Sequence, residues 1–186
     1  MRCQRCYRRN RRASNAKPRN KATAENENVI EDYIDDVTED VDYSARTERL
    51  LELFNKYDQK PTLMLDLACG TGSFSYSFAE NGIEVIGVDC SEGMLAAALS
   101  KQEQGSHNPL FLNQSAQELE LFGTVDGAIS MLDSLNHITD YNDFCKALSR
   151  VSLFLEKDRL FIFDLNTEYK HKEILGHNVF VIENED

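Results

Sequence analysis

The sequence predicts an α/β fold in which a mainly parallel sheet is covered by helices on both faces. An alternation of two sequence patterns predicts it. Short apolar runs such as TLMLDLA (62–68) and IEVIGVD (83–89) alternate with stretches that have helical periodicity. Strands that alternate with helices favour right-handed crossovers, which lay the strands parallel and bury both faces of the sheet. The length of 186 residues and the hydrophobic content of 41% suit one such domain.

The first half of the predicted body runs helix, strand, helix, strand, helix. An amphipathic helix ends before Pro61, and its apolar face carries Tyr43, Leu50, Phe54 and Tyr57. After the strand at 62–68, a helix over 73–80 is ended by the C-capping pair Asn81-Gly82. After the strand at 83–89, Ser91 caps a helix whose predicted inward residues are Met94, Leu95, Ala98 and Leu99.

The second half repeats this alternation. Strands are predicted at LFL (110–112), VDGAISML (125–132) and RLFIFDL (159–165), and Asp140 can cap the long helix before the last of them. The predicted inward residues of that helix are Phe144, Cys145, Ala147, Leu148, Val151 and Phe154 or Leu155. The arrangement is a Rossmann-like sandwich with five visible strands. The final NVFVIENED resembles a strand just begun, so we expect a sheet truncated at its C-terminal end.

Charge divides the chain into two predicted parts. Residues 1–24 carry nine Lys or Arg and no acid, whereas the remaining 162 residues carry 11 basic and 32 acidic side chains. A body at net −21 does not favour binding of long nucleic acid, because phosphate contacts need Lys and Arg. The leader (1–28) has almost no apolar residues, so we expect it to be disordered and the folded domain to span 29–186. A nucleic-acid arm is the alternative for the leader.

The cysteines indicate a reducing compartment. Five are scattered along the chain, Cys3, Cys6, Cys69, Cys90 and Cys145, and an odd scattered set does not suit a disulfide framework. Cys3 and Cys6 form half of a zinc motif, but no second pair lies nearby, so no metal site is expected. The sequence has no apolar run long enough for a membrane span, and it has no apolar region typical of a secretory signal near residue 1. We therefore expect a cytoplasmic protein.

The stretch MLDLACGTGSFS (64–75) predicts a ligand site. Asp66 lies on a buried strand, and the turn at Gly70 and Gly72 allows a ligand to approach the backbone of a helix N-terminus. Asp89 follows Gly70 by 19 residues at the end of the next strand, where a carboxylate can accept both ribose hydroxyls. The pattern predicts a bound nucleoside.

Three interpretations of this stretch differ in the ligand. A dinucleotide site has a third glycine where this chain has Ser75, and Asp66 would repel a pyrophosphate. S-adenosylmethionine (SAM) carries an ammonium, a sulfonium and one carboxylate, so Asp66 can hold the amino end while helix N–H groups meet the carboxylate. The third interpretation is that the acids and glycines only form turns. The charge pattern favours SAM.

LDLACGTG (65–72) and VIGVDCSEGML (85–95) resemble motifs I and II of class I SAM-dependent methyltransferases. Over about residues 31–182 the chain is similar to the small bacterial YqeM-like methyltransferase-domain proteins. The resemblance implies a seven-stranded sheet, of which five strands are visible here. It also implies a cofactor site, whose residues by this comparison are Asp66, Ala68, Cys69, Gly70, Gly72, Asp89, Cys90, Met94, Gln114, Ser115 and Met131. The group has Gln-Asp where this chain has Gln114-Ser115, so an acidic contact to adenine is lost. It also places an aromatic residue beside the methyl group, for which Tyr33 is one position off.

MLDSLNHI (131–138) follows the fourth strand and is expected beside the sulfonium. Asp133 is predicted to contact the substrate and His137 to accept its proton. Asp133 can instead cap the next turn, and His137 can be a surface or packing residue. Neither Cys69 nor Cys90 has a partner that would make it a nucleophile.

Three functional hypotheses follow. The first is a SAM-dependent methyltransferase acting on a small-molecule nucleophile. The second is a nucleotide-binding oxidoreductase, and the third is a SAM-binding fragment without activity. Methyl transfer needs mainly alignment and exclusion of water, so the motifs leave the acceptor undetermined.

Overall fold

A computed structural model describes residues 41–102 and 108–176 of the chain. The predicted leader, Tyr33 and the predicted final strand lie outside the described residues. Within these residues the structure confirms the α/β class, with five parallel strands in the order β3-β2-β1-β4-β5. No helix in the described parts combines the length and the apolar character needed to cross a membrane.

The elements of the first half follow the predicted alternation. The helices are α1 (Tyr43–Lys56), α2 (Ser73–Glu80) and α3 (Glu92–Ser100), and the strands between them are β1 (Leu63–Leu67) and β2 (Glu84–Asp89). Predicted caps form at α3, where Ser91 Oγ accepts a hydrogen bond from Met94 N at 3.3 Å, and after α2, where Gly82 has a φ of +80°.

The second half contains β3 (Leu110–Asn113), β4 (Gly127–Ser130), α4 (Tyr141–Phe154) and β5 (Phe161–Phe163). Short 3₁₀ turns lie at Ala116–Glu118 and Ser134–His137, and a π-helical turn spans Lys170–Leu175. Asp140 caps α4 as predicted, because its carboxylate accepts from Asn142 N and Asp143 N at 2.9 and 3.0 Å.

The strand order places a topological switch point between β1 and β4. From β1 the chain proceeds outward to β2 and β3, then crosses back to β4 and β5 on the other side. Parallel strands present their carboxyl ends at one edge, and the crevice beside a switch point is the usual ligand site of such sheets. At the amino ends of the strands, Asp126 connects the start of β4 to the start of β1. Its Oδ1 accepts hydrogen bonds from Thr62 N and Leu63 N at 2.9 Å.

Apolar cores cover the two faces of the sheet, as expected for a parallel sheet buried on both sides. One core packs against α4 and contains Leu65, Leu67, Val88, Ala128, Leu135 and Val151. The other packs against α1 and α2 and contains Leu50, Phe54, Met64, Phe78, Val85 and Ile129.

Two predicted inward residues are exposed, which corrects the helix faces. Tyr57 follows the last residue of α1 and is 59% exposed, and Leu99 near the end of α3 is 50% exposed. In α3 the face against the sheet is the narrow pair Leu95 and Ala98. Both errors lie at helix ends, where the chain leaves the core before the apolar periodicity stops.

Candidate functional site

A cavity of about 490 Å³ opens at the carboxyl ends of β1, β2 and β4. Most of the predicted site residues line it: Asp66, Ala68, Cys69, Gly70, Asp89, Cys90, Met94, Gln114, Ser115, Met131 and His137. Gly72 and Asp133 do not line it. The structure therefore brings most of the predicted site residues to one cavity and leaves Gly72 and Asp133 outside its lining.

Asp66 is a buried carboxylate with a hydroxyl partner. Its side chain is 3% exposed, and Oδ2 accepts a hydrogen bond from Ser75 Oγ at 2.6 Å. Burial raises the pKa of Asp66 to about 6, against the lowering effect of the Ser75 hydrogen bond. A cation placed beside Asp66 would favour its ionised form, so this end of the cavity suits an ammonium group.

Asp89 connects the loop after β1, which contains Gly70, to the loop after β2, which contains Ser91. Its Oδ2 accepts from Gly70 N at 2.9 Å and its Oδ1 from Ser91 N at 2.8 Å. Each oxygen has a second lone pair, so the carboxylate can accept further hydroxyl donors from the cavity. Asp89 thus fixes the glycine turn as well as lining the cavity, which the spacing of 19 residues did not reveal.

Gly72 has a packing role that the sequence did not indicate. It lies at the N-cap of α2 with a φ of +77°, and a Cβ built there would lie 2.7 Å from Phe111 Cζ. A Cβ at Gly87 would lie 2.6 Å from Phe111 Cδ1. Both glycines therefore make room for the Phe111 ring, whereas a Cβ at Gly70 would meet nothing within 4 Å.

Both cavity cysteines are held as thiols. Burial raises the pKa of Cys69, and the carboxylates of Asp66 and Asp89 raise it further. Burial and then Asp89 raise the pKa of Cys90. A thiol is a poor nucleophile, so these side chains serve the cavity as small apolar groups.

The β3 side of the cavity is shaped by Gln114. Its side-chain amide bonds to the backbone of Glu120 in both directions, Nε2 to the carbonyl at 3.1 Å and Oε1 from the N–H at 2.8 Å. Gln114 therefore closes the loop that carries Ser115 and Ala116, two further lining residues. Met94 and Val88 supply apolar surface on the same side.

The wall loop (131–135) forms the β4 side of the cavity and carries Asp133. Asp133 has a φ of +61°, and its Oδ2 accepts from Asn166 Nδ2 at 2.6 Å and Lys170 Nζ at 3.2 Å. The carboxylate is bound to the segment after β5 and does not line the cavity, so its predicted contact with substrate stays a prediction. Its side chain does not cap the following turn either. His137 is exposed and lines the cavity.

Several lining residues were missed by the sequence analysis. Tyr43 packs edge-on against Phe74, with ring centroids 5.0 Å apart at 80°, and both line the cavity. Tyr43 begins α1, so an aromatic from the acidic N-terminal stretch does reach the site, ten residues after Tyr33. Ser75 does not line the cavity, and the sequence indicates it only as a missing third glycine, whereas in the structure its hydroxyl donates to Asp66.

Comparison with known proteins assigns the fold and the cavity to a family. The model of a methyltransferase domain matches residues 64–157, which include β1, β2, β4 and every residue that lines the cavity except Tyr43. This chain belongs to the class I SAM-dependent methyltransferases. YqeM of Bacillus subtilis, which is named as a methyltransferase, is 38% identical over 125 residues, 66% of this chain and 50% of YqeM.

Solved and curated methyltransferases extend the comparison. A SAM-dependent methyltransferase from Clostridium acetobutylicum has a TM-score of 0.74 at 30% identity, covering 87% of this chain and 65% of its own. An 18S rRNA (guanine-N(7))-methyltransferase of Arabidopsis thaliana is 38% identical over 87 residues, 46% of this chain and 29% of that enzyme. The chain spans about half the length of YqeM. The cofactor of the family is SAM, and the comparisons do not favour an oxidoreductase.

The described residues fit this methyltransferase cofactor. A buried carboxylate faces the cavity at one strand end, a second carboxylate ends the neighbouring strand, and α2 begins beside both. These groups match an ammonium, a ribose and a carboxylate respectively. Within 41–102 and 108–176, no group of three or more His, Cys, Asp or Glu side chains is arranged to hold a metal ion.

Proposed function

We propose that this chain binds SAM in the cavity and transfers its methyl group to a small-molecule nucleophile beside the wall loop. The observation that carries the proposal is the pair of carboxylates, Asp66 and Asp89, on neighbouring strands around one cavity of about 490 Å³. SAM supplies a methyl group on a cationic sulfur. When the methyl group is transferred, the neutral thioether departs as a good leaving group. The residues of the chain then have to orient the two reactants and exclude water.

Each cavity residue has a proposed task. Asp66 accepts hydrogen bonds from the ammonium group, and the first-turn N–H groups of α2 face the carboxylate of the amino-acid part. Asp89 accepts the ribose hydroxyls with its remaining lone pairs. Met94 packs on the adenine. His137, exposed at the rim, accepts the proton that the nucleophile loses.

The acceptor is proposed to be small because of charge. The chain from residue 25 onward has a net charge of −21, which repels a polyanion. The relative that methylates 18S rRNA is matched over only 29% of its length, so its RNA substrate does not transfer to this chain. An RNA acceptor is nevertheless an arm of the test, since the leader carries nine basic residues.

Calorimetry tests the cofactor first. We expect SAM and S-adenosylhomocysteine to bind and NAD not to bind. Asp66→Asn should weaken SAM binding, and Asp126→Asn is the matched control because Asp126 bonds backbone N–H groups at the opposite edge of the sheet. A chain that binds NAD but does not bind SAM would contradict the methyltransferase assignment. Equal SAM affinity in the Asp66 and Asp126 variants would contradict the role of Asp66.

Methyl transfer is tested with SAM carrying a labelled methyl group. The chain is incubated with a small-metabolite extract or with purified total RNA, and label is followed separately in the two fractions. We expect label in the small-molecule fraction. Label found only in RNA would contradict the proposed acceptor class and leave the cofactor proposal intact.

His137→Gln tests the proton acceptor, with His171→Gln as the matched control on the exposed π-helical turn. His137→Gln should slow turnover of the identified acceptor by about 10²-fold, the usual scale for a lost general base. Its SAM affinity should stay close to that of the unmodified chain. Equal turnover in both variants would show that His137 is a rim residue without a proton to accept.

A further inference from the structure

Asp164 lies directly after β5, behind the wall loop. Its two carboxylate oxygens accept hydrogen bonds from consecutive backbone groups, Oδ2 from Leu132 N at 3.1 Å and Oδ1 from Asp133 N at 2.9 Å. The N–H of Asp164 donates to the carbonyl of Ser130, the last residue of β4, at 3.3 Å. Asp164 is therefore fixed to the end of β4 while it holds the loop that follows β4.

The backbone that Asp164 holds is in an unfavourable conformation. Leu132 and Asp133 have φ angles of +57° and +61°, a region that side chains with a Cβ seldom adopt. Two such residues in succession turn neighbouring N–H groups toward one point, which forms an anion-binding concavity. A strained backbone persists only where its surroundings fix it, and the carboxylate of Asp164 bonds the N–H groups of both strained residues.

The turn decides which side chains of the wall loop face the cavity. Asp133 is directed to Asn166 and Lys170, whereas Met131 and Ser134 line the cavity. Ser134 Oγ lies 2.7 Å from the carbonyl of Met131 and 3.3 Å from that of Ala68, so the loop also contacts the end of β1. Loss of the turn would therefore displace one wall of the site.

We propose that Asp164 is a positioning residue of the SAM site, which holds the wall loop against the part of the cavity that takes the amino-acid end of the cofactor. The inference rests on the proposed function, since that function places the amino end of SAM beside Asp66 on β1, and the wall loop reaches the end of β1 through Ser134. The segment after β5 strengthens the same arrangement, because Asn166 N donates to Asn136 Oδ1 at 3.0 Å. Displacement of this segment would thus change cofactor affinity without touching the cofactor.

Two ligands and two variants test the inference. The ligands are SAM and 5′-methylthioadenosine, which lacks the amino-acid part. We expect Asp164→Ala to weaken SAM binding about tenfold or more and to leave 5′-methylthioadenosine within about twofold. Asp126→Ala is the matched control, since that carboxylate also accepts from two consecutive N–H groups, those of Thr62 and Leu63, but at the far edge of the sheet. Asp126→Ala should leave both affinities within about twofold even where it lowers the melting temperature.

A readout without ligand separates this inference from the proposed function. Hydrogen exchange of the Leu132 and Asp133 amides should be about tenfold faster in Asp164→Ala than in the unmodified chain. Unchanged exchange overturns the inference, whether or not SAM binds. Failure of the unmodified chain to bind SAM overturns the proposed function, while exchange still decides whether Asp164 holds the loop. Equal SAM affinity in a folded Asp164→Ala overturns the inference alone.

A conservative variant covers the case in which Asp164→Ala does not fold. Asp164→Asn keeps one oxygen acceptor and should weaken SAM binding about threefold, between the unmodified chain and the alanine variant. As in the alanine variant, the affinity for 5′-methylthioadenosine should stay nearly unchanged while the affinity for SAM falls. An asparagine variant that binds both ligands as tightly as the unmodified chain overturns the inference.

Discussion

Asp66 is a carboxylate in surroundings that oppose its charge. Its pKa of about 6 lies above the ordinary value of 3.8 because the group is buried. The folded chain therefore binds this proton more tightly than the unfolded chain does, so the contribution of Asp66 to stability falls as pH rises from about 4 through about 6. Above that window the penalty is complete, on the order of 2–3 kcal/mol.

Asp66→Asn should stabilise the ligand-free chain while it weakens SAM binding. The asparagine removes the buried charge and keeps an oxygen for the Ser75 hydroxyl. We expect a gain of about 1–3 kcal/mol near pH 7.5 and little gain near pH 4.5, measured by urea unfolding. SAM affinity should rise between about pH 5 and 7 in the unmodified chain and stay level in the variant. A variant that is less stable near pH 7.5 would contradict this account.

Asp89→Ala should weaken both SAM and 5′-methylthioadenosine. The substitution removes the proposed ribose contacts and also the acceptors of Gly70 N and Ser91 N. A loss of about 1.5–3 kcal/mol in binding is expected from charge-assisted hydrogen bonds, measured by calorimetry. The effect on the second ligand separates Asp89 from Asp164. Full affinity for 5′-methylthioadenosine in Asp89→Ala would contradict the ribose role.

For single residues, the sequence predicts the location of those that lie near the carboxyl end of a strand. Asp66 and Asp89 reach the cavity because each lies near the end of a parallel strand. The orientation of Asp133 was not predictable, because it depends on a left-handed backbone that Asp164 maintains from 31 residues away. Tyr43 was missed for a similar reason, since only the packing of α1 brings it to Phe74.

The elements begin and end where local chemistry predicts. Ser91 and Asp140 cap their helices through hydrogen bonds within three residues, so the signal and the structure lie in the same short stretch. Helix faces were less predictable near helix ends, as Tyr57 and Leu99 show. Periodicity identifies the apolar face of a helix. How far along the helix that face is buried depends on the tertiary packing against the sheet.

Gly87 tests the packing between β2 and β3. A Cβ at this position would lie 2.6 Å from Phe111 Cδ1 and 3.0 Å from Cys69 Sγ. We expect Gly87→Ala to lower stability by about 1–3 kcal/mol through overpacking, measured by urea unfolding. Gly123→Ala is the control, because a Cβ there meets nothing within 4 Å. Combining Gly87→Ala with Phe111→Leu should recover part of the loss, and simple addition of the two effects would contradict the contact.

The whole molecule combines an acidic body with a basic leader. The leader lies outside the described residues, and its predicted disorder remains a prediction from composition. We expect deletion of residues 1–26 to leave the melting temperature and the SAM affinity unchanged, because the leader has almost no apolar residues to dock. A fall of several degrees in the melting temperature would show that the leader packs on the acidic body.

Self-association is the property of the whole molecule that the sheet suggests. In the described part of the chain, β5 has a strand partner only on its β4 side, and Phe163 and Leu165 are 39% and 46% exposed. An apolar edge of this kind can pair with another chain. We therefore expect the molecular mass measured by sedimentation to rise with protein concentration.

Phe163→Lys should reduce this association, because a charge on an edge strand opposes edge-to-edge pairing. Phe122→Lys is the matched control, since Phe122 is a fully exposed aromatic residue outside the strands. SAM affinity should remain unchanged in both variants, because neither residue lines the cavity. If Phe122→Lys abolishes association and Phe163→Lys leaves it intact, the contact lies on the loop after the first 3₁₀ turn. A chain that stays monomeric at every concentration would contradict the predicted association through the β5 edge.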